Sequence, residues 1–302
     1  MNLNFEVNLS YAVSLAGLFQ LIFLIFFTKR YYKPTINFKI TISSKVKMFL
    51  KKLLPSIFSS GVTQINILVG TIIASFEAGA VSYLYYADRI YQINLAIAGI
   101  AIGTVALPEL AKNIKKGNIV NAMKMQNKSL ELCLLLSLPA SFGLIIASYE
   151  IISALFGYGS FSEENVVLTA QALKYFGFGV PAFALIKILS NFLFARDNTK
   201  VPFYISTFII FLNILISILY FKEVGFIIIP IATSISTWIG VLIYLILLIK
   251  FKYLNFELIF FTNLIKILIS LVIMTLALYY SINFFEDKLI YSNYYKSFYL
   301  IM

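Results

Sequence analysis

The chain alternates between long apolar runs and short polar stretches rich in lysine. The runs at 203–221 and 226–249 are almost unbroken over about twenty residues. A helix needs roughly 20 predominantly apolar residues to cross about 30 Å of hydrocarbon. Eight such spans are expected at roughly 9–28, 53–76, 83–110, 129–156, 168–195, 202–221, 225–249 and 259–284. A membrane barrel would show strands of about ten residues with alternating polarity, so these runs predict helices. Several connections are short, which favours antiparallel neighbours. Pro55, Pro108, Pro139, Pro181, Pro202 and Pro230 mark span ends or bends, tolerated where neighbouring helices satisfy the freed carbonyls.

Composition turns this pattern into a statement about solvent. The chain is 61% hydrophobic and 12% charged, with a mean hydropathy of +0.91, against about 45–50% and 25% for a soluble domain. The fold class is therefore an all-α polytopic membrane protein with about eight transmembrane helices. Histidine is absent and Cys133 is the single cysteine, so neither an internal disulfide nor a metal or other cofactor is expected. Cys133 reads as a packed small hydrophobe. The opening residues, Met1 to Glu6, lack a basic region, so the run at 9–27 reads as a retained span rather than a signal peptide.

Charge sets the orientation. Lys29, Arg30, Lys33, Lys39, Lys45, Lys47, Lys51 and Lys52 fall in the loop at 29–52, and Lys112, Lys115, Lys116, Lys124 and Lys128 in that at 111–128. Arg196, Lys200, Lys250 and Lys252 follow later spans on the same side, while Lys222, Lys288 and Lys296 stand opposite with most of the loop carboxylates. This is a positive-inside pattern, and it predicts both termini outside the cytoplasm. An outside N-terminus with no span before it suggests that a front part is missing. The net charge of +11 then belongs to anionic membrane lipids, and nucleic acid is not expected as a partner.

Ionisable groups at membrane depth face a cavity or a partner. Glu109, Glu131, Glu150 and Lys266 lie near span ends and read as interfacial. Asp88, Arg89 and Lys187 lie deeper, the first two among Tyr83, Tyr85, Tyr86 and Tyr91. Two readings stand: Asp88 pairs with a nearby cation and fixes packing, or Arg89 and Lys187 offer positive charge to an anionic substrate, a task that suits arginine's planar fork. Lys174 fits either the same cavity or the outer interface. No nucleophile has an identifiable base, so no enzyme is expected. Gly99 and Gly103 have the spacing of close helix packing.

Several stretches resemble the lipid II flippase family MurJ (MviN), within the multidrug/oligosaccharidyl-lipid/polysaccharide exporter superfamily. The most specific is Val81-Ser82-Tyr83-Leu84-Tyr85-Tyr86-Ala87-Asp88-Arg89-Ile90, followed by Gly99-Ile100-Ala101-Ile102-Gly103-Thr104-Val105-Ala106-Leu107-Pro108. Pro55, Gln64-Ile65-Asn66 and Ala74-Ser75-Phe76 match upstream. Leu155-Phe156-Gly157-Tyr158-Gly159-Ser160-Phe161, Gly179-Val180-Pro181-Ala182-Phe183 with Lys187, and Phe194-Ala195-Arg196-Asp197-Asn198-Thr199-Lys200-Val201-Pro202 match downstream. Order and spacing agree across roughly 10–250.

The resemblance implies a flippase of the bacterial inner membrane that moves the undecaprenyl-pyrophosphate-linked peptidoglycan precursor between leaflets by alternating access. Arg89 would bind the pyrophosphate, Asp88 would orient or neutralise it, and Lys187 would add substrate-binding charge. Only the second lobe and part of the tail helices are represented. The implied organisation is a first span and basic loop at 1–52, a six-helix second lobe at 53–250, and a tail span with a cut-off end at 251–302. A separately encoded N-terminal lobe is the expected protein partner, since alternating access needs two bundles. Gly70 stands where the family commonly has Asp or Asn. The other readings are a drug/cation antiporter of the same superfamily, a membrane glycosyl- or phosphotransferase, and a non-functional remnant.

Overall fold

A computed structural model describes residues 3–31, 43–44, 46–47, 50, 66–293 and 295–301. The chain divides into two compact units, Met1–Phe49 and Leu50–Met302. In the first, α1 (Leu3–Thr28) is one 26-residue helix, with apolar side chains exposed all round from Tyr11 to Phe27. A helix apolar on every face belongs in lipid or against other helices.

The second unit opens with α2, described over 66–74. It continues with α3 (Ala80–Leu95), a π-helical segment Ala96–Ala101, α4 (Ile102–Lys115), α5 (Ile119–Ile146), α6 (Ser148–Phe156) and α7 (Glu163–Phe194). Then come α8 (Lys200–Val224), α9 (Ile228–Lys250), α10 (Leu258–Phe284) and α11 (Lys296–Ile301). No strand occurs among the described residues. Six stretches are long and apolar enough to cross a membrane, and one of them, Lys200–Lys250, contains both α8 and α9. Seven of the eight expected spans thus coincide with described helices. Most of the span expected at 53–76, with Pro55 and Gln64-Ile65, lies outside the described residues, as do Lys33, Lys39, Lys45, Lys51 and Lys52 of the basic loop.

Two boundaries differ from expectation. The apolar run at 129–156 breaks at Ala147 (φ −101°, ψ 23°), and its helix begins at Ile119. Lys124 and Lys128, expected in a loop, therefore ride on the first turns of α5, where long aliphatic stems let a charge extend beyond an apolar contact. The turn before α5 is short: Gly117 takes φ 71°, and Asn118 caps the helix by accepting from the Asn121 N–H at 3.3 Å.

Contacts between distant turns sort the loops by end. The Asn127 amide donates to the Asn255 carbonyl at 2.8 Å, and Arg196 donates to the Tyr253 carbonyl at 3.0 Å. Lys112, Lys115, Lys116, Lys200, Lys250 and Lys252 share this basic end. At the opposite, acidic end, Tyr83 donates to the Asn165 side chain at 2.9 Å, and the Phe226 N–H donates to Glu77 at 2.7 Å. The helices therefore alternate in direction, as the charge pattern requires.

The central helix is α7, which packs against α3, α5, α6 and α9. Pro181 lies within it, and the carbonyl of Gly177 loses its intrahelical donor. Ser141 of α5 supplies the replacement, donating to that carbonyl at 2.7 Å. On the α9 side, Ser234 donates to the Tyr175 carbonyl at 2.7 Å, and Trp238 donates its indole N–H to that of Phe178 at 2.9 Å. Two apolar cores line α7: one toward the acidic end, around Leu173, Phe176 and Phe226, and one toward the basic end, around Leu189, Phe192 and Tyr244.

The segment after α10 folds back onto the acidic end, with α11 against α6. Lys296 stands at the acidic end, opposite the basic loops, as the charge pattern placed it, but it is only 1% exposed. Its ammonium donates to the carbonyls of Gly157 and Tyr291, each at 2.8 Å, and lies over the rings of Tyr158 and Tyr291 at 4.5 and 4.4 Å. Such contacts compensate a desolvated cation in water's absence. Burial still pulls its pKa below the ordinary lysine value. Tyr291 donates to the Phe161 carbonyl at 2.7 Å, so the Phe156–Phe161 stretch is held from several sides.

Candidate functional site

The tyrosines of α3 divide their work by helical register. Tyr83 bonds to α7, and Tyr91 packs on Phe176 and Phe183 of α7 with ring centroids 4.7 and 5.3 Å apart. Tyr86 meets Phe156 and Phe161 at 4.8 and 5.4 Å. Tyr85 is left for Arg89, one turn further on. The guanidinium lies 4.7 Å from the Tyr85 ring centroid and donates to its hydroxyl at 3.1 Å. A cation resting on a ring face is attracted by the ring quadrupole, which fixes an otherwise long and mobile side chain.

Asp88 turns elsewhere. It accepts a hydrogen bond from Gln92, one turn along the same helix face. The hydrogen-bond partner that the structure gives Asp88 is this amide, alongside the cation that the packing reading expects. Asp88 is half-buried, whereas Arg89 is exposed. Asp88 lines a cavity of about 170 Å³ together with Asn66, Thr71, Tyr85, Tyr91 and Thr233. Gly70 also lines it, so the missing side chain leaves space where a polar group would stand.

Lys187 is exposed and lines a different pocket, of about 440 Å³, with Thr104, Ser190, Asn191, Ser206 and Tyr244. The wall on the α3–α4 side is the π segment and the turn after it. There the backbones come close because two glycines permit it. A Cβ on Gly99 would stand 3.1 Å from the Ala184 Cα, and one on Gly103 would stand 2.6 Å from the Asn191 amide nitrogen. That amide donates to the Gly103 carbonyl at 3.1 Å. The close packing expected from the Gly99/Gly103 spacing is thus present, and a π turn, often found at functional sites, accompanies it.

Asp88 and Arg89 are neighbours on α3 with different partners, and Lys187 lies away from both. Arg89 is nine residues from the start of α3 at the acidic end, and Lys187 is seven residues from the end of α7 at the basic end. At about 1.5 Å per residue, ten residues of rod between Arg89 and Gly99 separate the two cations by about 15 Å along the axis. Lys174 is exposed on α7 in the same stripe as Gln171 and Phe178, a stripe that does not contribute to the Lys187 pocket. Glu131, read as interfacial, accepts from Asn263 of α10 at 3.1 Å. Asn191, Thr233 and the π segment escaped the sequence reading, because neutral polar groups in apolar runs carry no charge signal.

The comparisons with known proteins agree with this architecture. A probable lipid II flippase MurJ of Rickettsia prowazekii (strain Madrid E) is 39% identical over 235 residues, covering 77% of this chain and 46% of that protein. Its namesake from Rhizobium meliloti (strain 1021) is 36% identical over 277 residues, 91% of this chain and 52% of the relative. The chain spans about half the length of the curated relatives it matches. A lipid II flippase MurJ structure in an inward closed conformation superposes with a TM-score of 0.72 at 27% identity, covering 92% of this chain and 56% of that one. An outward-facing multidrug resistance MATE family transporter of the MOP superfamily shares the fold alone, with a TM-score of 0.59 at 18% identity over 78% of this chain and 52% of that one. The family model described as lipid II flippase MurJ matches residues 1–300, and the chain belongs to that family.

Proposed function

We propose that this chain forms the second-lobe portion of a lipid II flippase and, acting with a first lobe, carries the lipid-linked peptidoglycan precursor across the bacterial inner membrane. The observation that carries this reading is Arg89, an exposed guanidinium on an apolar 36-residue rod, inside the stretch that most resembles the family. An arginine at membrane depth needs a partner, and its fork matches the oxygens of a pyrophosphate. Asp88, bonded to Gln92, stands next to it as the group that tempers its charge and orients the head group. Lys187 adds positive potential along the path. The lipid tail stays in the bilayer throughout, so only the head group needs a polar route. Both termini lie outside the cytoplasm in this reading, with the basic end facing the cytoplasm. Movement comes from rocking of two bundles about a shared site.

The test is growth rescue of a bacterium depleted of its flippase, by this chain expressed with a first-lobe chain. Rescue is expected, with loss on Arg89→Ala and recovery on Arg89→Lys in part. Undiminished rescue by Arg89→Ala removes the head-group role. Failure of every combination, with protein present in the membrane, removes the transport reading.

A further inference from the structure

The π segment and α4 form a groove with α5 toward the basic end, holding a cavity of about 710 Å³. It shares no lining residue with the pocket around Lys187. One wall steps by fours through Ile97, Ala101, Val105 and Glu109, and the other through Lys128, Leu132 and Leu136. Residues four apart share a helix face, so each wall is an exposed apolar stripe that ends in one charge. From Ile97 to Glu109 the stripe runs about 18 Å, a little more than half of the hydrocarbon core's roughly 30 Å. The two charges stand at one level. Asn113 donates to the Met125 sulfur at 3.2 Å, which sets the register of this antiparallel pair. One turn further in, Glu109 comes opposite Ser129, with Lys128 beside it. Ser129 spends its proton on the Met125 carbonyl at 2.8 Å. Neither the Glu109 carboxylate nor the Lys128 ammonium has a polar partner among the described residues.

An ionisable group at this depth calls for a partner, and here two of opposite sign open onto one apolar trough. The complement is a zwitterion with a hydrocarbon chain. We propose that the groove holds one phosphatidylethanolamine of the surrounding bilayer, its phosphate on Lys128, its primary ammonium on Glu109 and one acyl chain along the two stripes. An anionic head would bring a like charge to Glu109. A quaternary ammonium carries the right charge but has no N–H to donate, and the charge-assisted hydrogen bond is the stronger contact. The occupant is the membrane's own lipid rather than a cargo, and its seat asks nothing of Arg89 or Lys187.

The test uses the full chain in phosphatidylcholine nanodiscs doped with a lipid that carries a photoactivatable diazirine on one acyl chain. The probe's head is phosphoethanolamine, phosphocholine or phosphoglycerol, and adducts are mapped by peptide after irradiation. The ethanolamine probe is expected to label the 97–109 and 128–136 stretches about fivefold more than the choline probe, the scale of one exposed ion pair, and more than the glycerol probe. Glu109→Gln is expected to remove most of that preference. Exchanging the charges, with Glu109→Lys and Lys128→Glu together, is expected to restore it, because the zwitterion can turn its head around. A carboxylate that merely supports the fold gives no such recovery. Adducts on α10 report bulk lipid and should be equal in every variant, which shows that the bundle is intact. Equal labelling of the groove by all three heads overturns the proposal, as does a preference for the glycerol head. So does an ethanolamine preference undiminished by Glu109→Gln, or one that the exchange fails to restore while adducts on α10 stay equal.

Discussion

The carboxylate of Glu77 accepts a hydrogen bond from the backbone N–H of Phe226 at 2.7 Å, joining the turn after α2 to the turn between α8 and α9. The receiving turn is built around Gly225 at φ 72°, and a Cβ there would come within 2.9 Å of the same carboxylate. One acid thus satisfies an orphan N–H at the start of a helical segment. Glu77→Ala is expected to cost about 1.5–3 kcal/mol, the range for a hydrogen bond to a charged group. Glu77→Gln should recover part of it. Thermal unfolding of the purified chain in detergent checks both, and equal melting of wild type and Glu77→Ala would refute the contact.

Gly99→Ala should be more damaging than most changes to alanine in an exposed helix. Its Cβ meets the Ala184 Cα at 3.1 Å, and backbone cannot yield as a side-chain tip can. Overpacking of this kind costs about 1–3 kcal/mol. Gly17→Ala in α1, where nothing lies within 4 Å, is the control and should show, in the same melting assay, only the slight stabilisation, about 0.5–1 kcal/mol, that alanine brings to a helix interior.

Glu150 predicts a pH effect. It lies in α6, outside the long apolar helices, and one carboxylate oxygen is buried without a partner. Burial raises its pKa. The folded chain therefore holds this proton at a pH where the unfolded chain has released it. That stability is fully present below the ordinary glutamate value of about 4.3 and is lost as pH rises through the raised value. Glu150→Gln should stabilise the chain at pH 7 by about 1–3 kcal/mol, and the gain should fade toward pH 4. Unfolding midpoints across that range decide the matter; a gain independent of pH would contradict it.

Lys296→Met keeps the bulk of the side chain but strips the donors from two carbonyls. Releasing the Gly157 and Tyr291 carbonyls should cost about 1–3 kcal/mol of local stability. Hydrogen exchange at Gly157 to Phe161 should accelerate while that of α9 stays put. Unchanged exchange at those amides would mean that the lysine does not hold the segment.

Much of this architecture is legible in the sequence because a bilayer leaves few choices. Apolar runs must be helices, basic loops must share a side, and Asp88 and Arg89 announce themselves as charges inside a span. What stayed hidden has a physical reason in each case. The break at Ala147 interrupts a run that is apolar on both sides, so hydropathy passes through it unchanged. Lys296 finds its partners in backbone carbonyls, one of them at Gly157 far back in the chain, and no pattern of side chains marks such an acceptor. Arg89 lies beside Asp88 in sequence, yet consecutive residues on a helix point about 100° apart, so the two side chains take different hydrogen-bond partners, Tyr85 and Gln92, which the sequence does not announce. The separation of Lys187 from Arg89 follows from depth along two helices that both run from the acidic end to the basic end, which residue types alone do not encode.

The proline break in α7 has a mechanical consequence. Ser141, Ser234 and Trp238 reach in from α5 and α9 to hold three carbonyls between Tyr175 and Phe178. Flexing α7 at Pro181 would tear those bonds at once, in a medium with no water to replace them. The helix that carries the obvious hinge residue is therefore the bundle's fixed axle, and any swing of this unit must be borne by the helices around its rim.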